Sequence, residues 1–195
     1  MKPGYTRLHF TQQRPPSPMT EKIFNPFTDR LSRDIRNTLS SSLVECLEAG
    51  NISSAEEVAK RYLAEHPAPL YSEYIQQRLQ LYKEAVKTIH GGSEDPIWRS
   101  TILWNLGLFF EMHEVLEHAW YSAQGDTKLI MQALIRAAGV YVKLGCGYKP
   151  QARKMADKAI DVLTIHQEFL SDYFQPEPLL KALRELDPQP PELVG

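Results

Sequence analysis

A chain of 195 residues is long enough for one core of ordinary size with an appended segment. Its 43% hydrophobic and 24% charged residues are an ordinary globular composition. A formal net charge of −2 with no Lys/Arg run gives no electrostatic footprint for nucleic acid or for a polybasic membrane contact. No apolar run approaches the roughly 20 residues of a bilayer span. The N-terminus lacks an apolar core followed by a small-residue cleavage site, so a cytoplasmic location is expected. Cys46 and Cys146 lie far apart, match no metal-ligand spacing, and read as reduced thiols.

Residues 1–27 contain Pro3, Gly4, Pro15, Pro16, Pro18 and Pro26 with little periodicity, the pattern of an extended or flexible arm. Leu8, Phe10, Ile23, Phe24 and Phe27 give this arm apolar side chains to dock. The need to cover Phe24 and Phe27 points to a protein partner or a homo-oligomer. From Thr28 the text is helical. Leu31, Ile35, Leu39, Leu43 and Leu47 recur at helical spacing until Gly50. Ser53-Ser-Ala-Glu56 reads as a capping box opening a helix through Leu63. Pro67 breaks it, and Pro69 starts the next helix, which runs to about His90.

Gly91-Gly92-Ser93 marks an internal boundary, and Asp95-Pro96 combines a capping carboxylate with a proline suited to the first helical position. One helix is expected from there to just before Gly125. Asp126 then caps a helix to about Leu144 that is apolar on nearly all sides, which predicts a central position. The turn Gly145-Cys-Gly-Tyr-Lys-Pro150 leads into a helix with Ala152, Met155, Ala156, Ala159, Ile160 and Leu163 on its inner face. A short helix follows Pro178, and Pro188, Pro190 and Pro191 are expected to end order. No alternating strand pattern appears. The expected fold is an all-α compact bundle of about six to seven helices. Its parts are an arm (1–27), an N-terminal helical addition (28–90) and a bundle (95–187).

The chemistry concentrates in Asn105-Leu-Gly-Leu-Phe-Phe-Glu-Met-His-Glu-Val-Leu-Glu-His-Ala-Trp120. Read as part of a single helix, Ile102, Leu106, Phe109, Phe110, His113, Leu116, Glu117 and Trp120 share one face. Glu111 and His118 fall on another side. Burying a carboxylate without a partner costs several kcal/mol, so Glu117 requires a partner. Two readings stay open. His113 and Glu117 form a polar knot in the core of a protein that binds a small ligand or another protein. Alternatively, they form the site of a small metal-dependent or acid–base hydrolase-like enzyme. In that case His113, Glu114 and Glu117 are the candidate catalytic groups, and His113 and Glu117 the candidate ligands of a divalent metal. His113-Glu114-Val-Leu-Glu117 is one residue short of H-E-x-x-H, the zinc-peptidase spacing that sets two histidines on one helix face. No second motif completes a coordination sphere.

Arg136 and Lys143, with Gln132 and Gly139, lie on the least apolar side of the next helix and are the candidate counter-charges for Glu117. Asn105, Trp120, Arg136, Lys143 and Tyr148 are the candidate ligand-binding residues. Trp120 offers a stacking face, and Tyr148 lies in the glycine turn at a helix N-terminus.

The stretch from Asn105 to Trp120 resembles a family described as domain of unknown function 309. Its helix reads Asn-x-Gly-x-Phe-Phe-Glu-x-His-Glu-x-Leu-Glu-x-x-Trp, met here by Asn105, Gly107, Phe109, Phe110, Glu111, His113, Glu114, Leu116, Glu117 and Trp120. The resemblance covers roughly residues 95 to 165 and implies a small all-helical bundle with no settled activity. Arg136 stands where the family usually has glutamine, and Gly147-Tyr148 where it has Gly-Asn. Residues 28–90 lie outside the resemblance.

Overall fold

Wherever apolar residues recur every three or four positions, the chain coils into helix. The computed structural model describes residues 23–194, and among these there are nine helices and no strand. They are α1 (Arg30–Ala49), α2 (Ser53–Ala64), α3 (Pro69–Ile89), α4 (Pro96–Asn105), α5 (Phe109–Trp120), α6 (Gly125–Gly145), α7 (Lys149–Ile165), α8 (Gln167–Leu170) and α9 (Pro176–Glu185). None is long and apolar enough to cross a membrane. α6 lies at the centre, between α5 and α7. Its Ala133, Ala137 and Ala138, with Ala152, Ala156 and Ala159 of α7, are fully buried and let the two helices approach closely. On the other side, α1 packs against α2, α3 and α5.

The helix expected to run from Pro96 through the motif is two helices. α4 ends at Asn105, and Gly107 takes a left-handed conformation (φ 68°). The Gly107 amide donates to Trp104 O (2.8 Å) and the Leu108 amide to Leu103 O (2.9 Å). This paired 5→2 and 6→1 pattern closes a helix around a glycine that lacks the Cβ penalty. The α6–α7 turn repeats it. Gly147 (φ 80°) donates to Leu144 O at 3.0 Å and Tyr148 donates to Lys143 O at 2.9 Å.

Three smaller expectations are corrected. Ser53 is the first helical residue rather than the cap, and its amide donates to Asn51 Oδ1, so the capping box is absent. α9 begins at Pro176, two residues earlier than expected. The prolines at 188–191 do not end order. Trp104 Nε1 donates to Pro191 O (2.7 Å), and Asn105 pairs with the Leu193 backbone in both directions (2.8 and 2.9 Å), burying Leu193.

Residues 1–22, including Leu8 and Phe10, lie outside the described residues. Phe24 stacks on Tyr74 with ring centroids 3.7 Å apart, and Phe27 meets Tyr148 edge-on at 5.1 Å. The two phenylalanines expected to need a partner's cover are therefore packed by their own chain.

Candidate functional site

Splitting the motif helix re-phases its faces. The buried side of α5 carries Glu111, Met112 and Leu116, preceded by Leu108. His113, Glu114 and Glu117 are half-buried, and His118 is exposed. The carboxylate in the core is therefore Glu111, 1% exposed, and not Glu117.

The partners of Glu111 come from α3. Tyr82, itself fully buried, donates to Glu111 Oε1 at 2.8 Å, and Arg78 Nε lies 3.6 Å from the same oxygen. That second distance is an ion pair rather than a hydrogen bond. Burial works against the Arg78 charge, but Glu111 beside it outweighs burial and holds the guanidinium above its usual range. Burial, then the Glu111 charge, pushes the Tyr82 hydroxyl well above the ordinary tyrosine range, so it stays a donor. Sequence reasoning missed this trio, although a signal existed. Tyr71, Ile75, Arg78, Tyr82, Val86 and Ile89 recur at helical spacing, which places an arginine in a stripe otherwise made of core residues.

The half-buried face of α5 does bring three candidates together. One ligand atom from each of His113, Glu114 and Glu117 lies within 4.8 Å of the others. His113 Nδ1 is 3.4 Å from Glu114 Oε1, and its ring stacks on Phe110. Neither Arg136 nor Lys143 forms an ion pair with Glu117, so the expected counter-charges do not reach it. Trp120 closes the helix with Lys128 4.2 Å over its ring. Its indole Nε1 is buried with no hydrogen-bond partner among the described residues. Asn105 is turned to the C-terminal strap instead.

Beside His113 opens a cleft of about 210 Å³. Phe109, Phe110 and His113 of α5 form one wall, and Ile135, Gly139, Val142 and Lys143 of α6 the opposite one. Met155 of α7, Arg36 of α1 and Phe27 complete it. Gly139 and Lys143 of the predicted polar side of α6 thus line the cleft, whereas Arg136 and Gln132 do not. A Cβ at Gly139 would lie 2.1 Å from Met155 Cε, so the glycine lets the tip of Met155 pack against this part of the wall. Lys143 Nζ stands 3.4 Å from the Phe27 ring centroid and 5.2 Å from that of Tyr148. Arg36 lies 3.8 Å over Phe110. Arg36 and Phe27 were not among the candidate ligand-binding residues. Phe27 was singled out only as an apolar side chain of the arm, and Arg36 does not stand out from its neighbours in the text. A wider depression of about 540 Å³ around His90, Gly91, Gly92 and Arg99 contains none of the candidate residues.

Fold and site together define an all-helical protein whose His-Glu-x-x-Glu helix places His113 at the border of a mainly apolar cleft. Residues 97–155, from the start of α4 into α7, match the family described as "Domain of unknown function (DUF309)". No curated protein and no solved structure matches the chain.

Proposed function

We propose that this protein is a small-ligand-binding helical module whose site is the cleft bordered by His113. One observation carries the reading: an apolar cavity of about 210 Å³ lies between α1, α5, α6 and α7, with two motif phenylalanines and His113 in its wall. Clefts lined by aromatic and aliphatic groups with few polar ones are the usual form of small-molecule sites. The size is suitable, because an engineered apolar cavity of about 150 Å³ takes up benzene. The test is ligand-observed NMR with a panel of neutral, anionic and cationic fragments on the wild type and on Gly139→Leu, which fills the cleft. Fragments should bind the wild type and lose contact with the variant while its helical circular dichroism persists. A panel that treats both proteins alike removes the reading.

A second reading, metal-dependent hydrolase-like chemistry, rests on His113, Glu114 and Glu117 converging within 4.8 Å. Donors sharing one zinc at about 2.0–2.2 Å must lie within ~4.4 Å of each other, so the side chains would close slightly around an ion. The two carboxylates and imidazole suit zinc, iron or manganese. Elemental analysis of tag-free protein beside Glu117→Gln separates the readings. Stoichiometric metal lost in the variant favours the second, and metal-free folded protein that takes up no added zinc, iron or manganese removes it.

A further inference from the structure

We propose that the ligand of this cleft is a small apolar anion, a carboxylate the size of an aromatic or short-chain acid, with Arg36 and Lys143 as its counter-charges. The proposal rests on the ligand-binding reading above and adds the chemical class.

Two cations line a cleft whose other walls are apolar apart from His113, and neither forms an ion pair with any described residue. Lys143 meets only the faces of Phe27 and Tyr148. Arg36 lies over Phe110 and Phe27, and its Nε and Nη2 donate to the neutral Asn37 Oδ1 at 3.1 and 2.9 Å. Of the carboxylates whose charge acts on Arg36, Glu111 is engaged with Tyr82 and Arg78, and Glu114 lies 3.4 Å from His113 Nδ1 without a hydrogen bond to it. Burial accordingly lowers the Arg36 pKa despite those charges. A partly buried guanidinium without a paired anion carries a desolvation cost that the faces of aromatic rings compensate only in part.

An incoming carboxylate supplies what is absent. Its oxygens are acceptors for guanidinium and ammonium donors in a site of low local dielectric, where charge-assisted bonds are strong. Its apolar body fits against Phe109, Ile135, Val142 and Met155. The volume equals roughly seven waters, which suits benzoate and takes most of octanoate with its end at the mouth. A cationic ligand meets repulsion from both residues. A neutral one leaves both half-buried charges without a counter-ion.

The test is titration calorimetry of the full chain with benzoate and octanoate against benzyl alcohol, octanol and benzylamine. The acids should bind at least tenfold more tightly than the alcohols, the amine should not bind, and raised salt should weaken the acids. Lys143→Met and Arg36→Met should each weaken acid binding about tenfold, with Lys143→Arg restoring much of it. Circular dichroism checks that each variant is folded, and Lys143 carries the test if Arg36→Met does not fold. Alcohols binding as tightly as acids would overturn the anion assignment while leaving a ligand cleft in place. No binding by any of the five probes, with no fragment distinguishing wild type from Gly139→Leu, would overturn both.

Discussion

Tyr82 of α3 donates a 2.8 Å hydrogen bond to Glu111 of α5, joining a helix outside the family match to the most buried carboxylate within it. Removing one member of a buried charge pair leaves the other desolvated and alone. Glu111→Ala is therefore expected to cost about 3–5 kcal/mol, and Tyr82→Phe about 1.5–3 kcal/mol. Replacing Arg78 by Met together with Glu111→Ala should recover part of the loss. Urea unfolding of the four proteins measures this, and a double variant no more stable than Glu111→Ala alone would argue against the pair.

The tyrosines set a limit on the alkaline side. Burial raises Tyr82 well above its ordinary value of about 10 and Tyr141 to about 12. Burial, with its hydrogen bond to Asp95, brings Tyr173 to about 12 as well. Because the folded pKa values lie above the unfolded ones, their contribution is complete below pH 10. It is lost as pH rises toward the folded values. The urea midpoint should hold between pH 8 and about pH 10 and fall by pH 11. A midpoint unchanged at pH 11 contradicts the assignment.

His113→Ala distinguishes the half-exposed face from a core knot. A core knot would unfold on losing its histidine, whereas a half-buried ring stacked on Phe110 contributes little. The expected cost is below about 1 kcal/mol. Fragment binding should nevertheless weaken, since the ring is part of the cleft wall. Thermal melting and NMR on one sample give both numbers, and a loss of several kcal/mol would return His113 to a structural role.

Asn105 should matter for stability more than for binding. Its amide exchanges two hydrogen bonds with the Leu193 backbone, at 2.8 and 2.9 Å. Asn105→Ala is expected to cost about 1–3 kcal/mol. Hydrogen exchange should report faster opening at Leu193, and unchanged protection there would mean that the strap is held without Asn105.

Helix identity was legible because it depends on local periodicity and punctuation. The α1 stripe ending at Gly50, the Asp95-Pro96 start and the small-residue face of α7 all lie where the text places them. The family resemblance was legible for the same reason, being written in consecutive residues matched over 97–155. The break at Gly107 was legible and missed. A wheel drawn through Leu106-Gly107-Leu108 assumes one continuous rotation, and the left-handed glycine cancels it. Faces on either side of such a turn have to be read separately.

The sequence by itself determined that the chain is all-helical, where most helices begin and end, and that His113, Glu114 and Glu117 share one local neighbourhood. Contacts up to one turn apart follow from helical geometry alone. Only the tertiary structure decided which carboxylate is buried and what meets it, because Tyr82 and Arg78 approach Glu111 from a helix about thirty residues away. It also decided that Lys143 meets Phe27 rather than Glu117, and that Arg36 borders the cleft. Those pairings depend on how the helices dock against one another, a property of the packed chain as a whole.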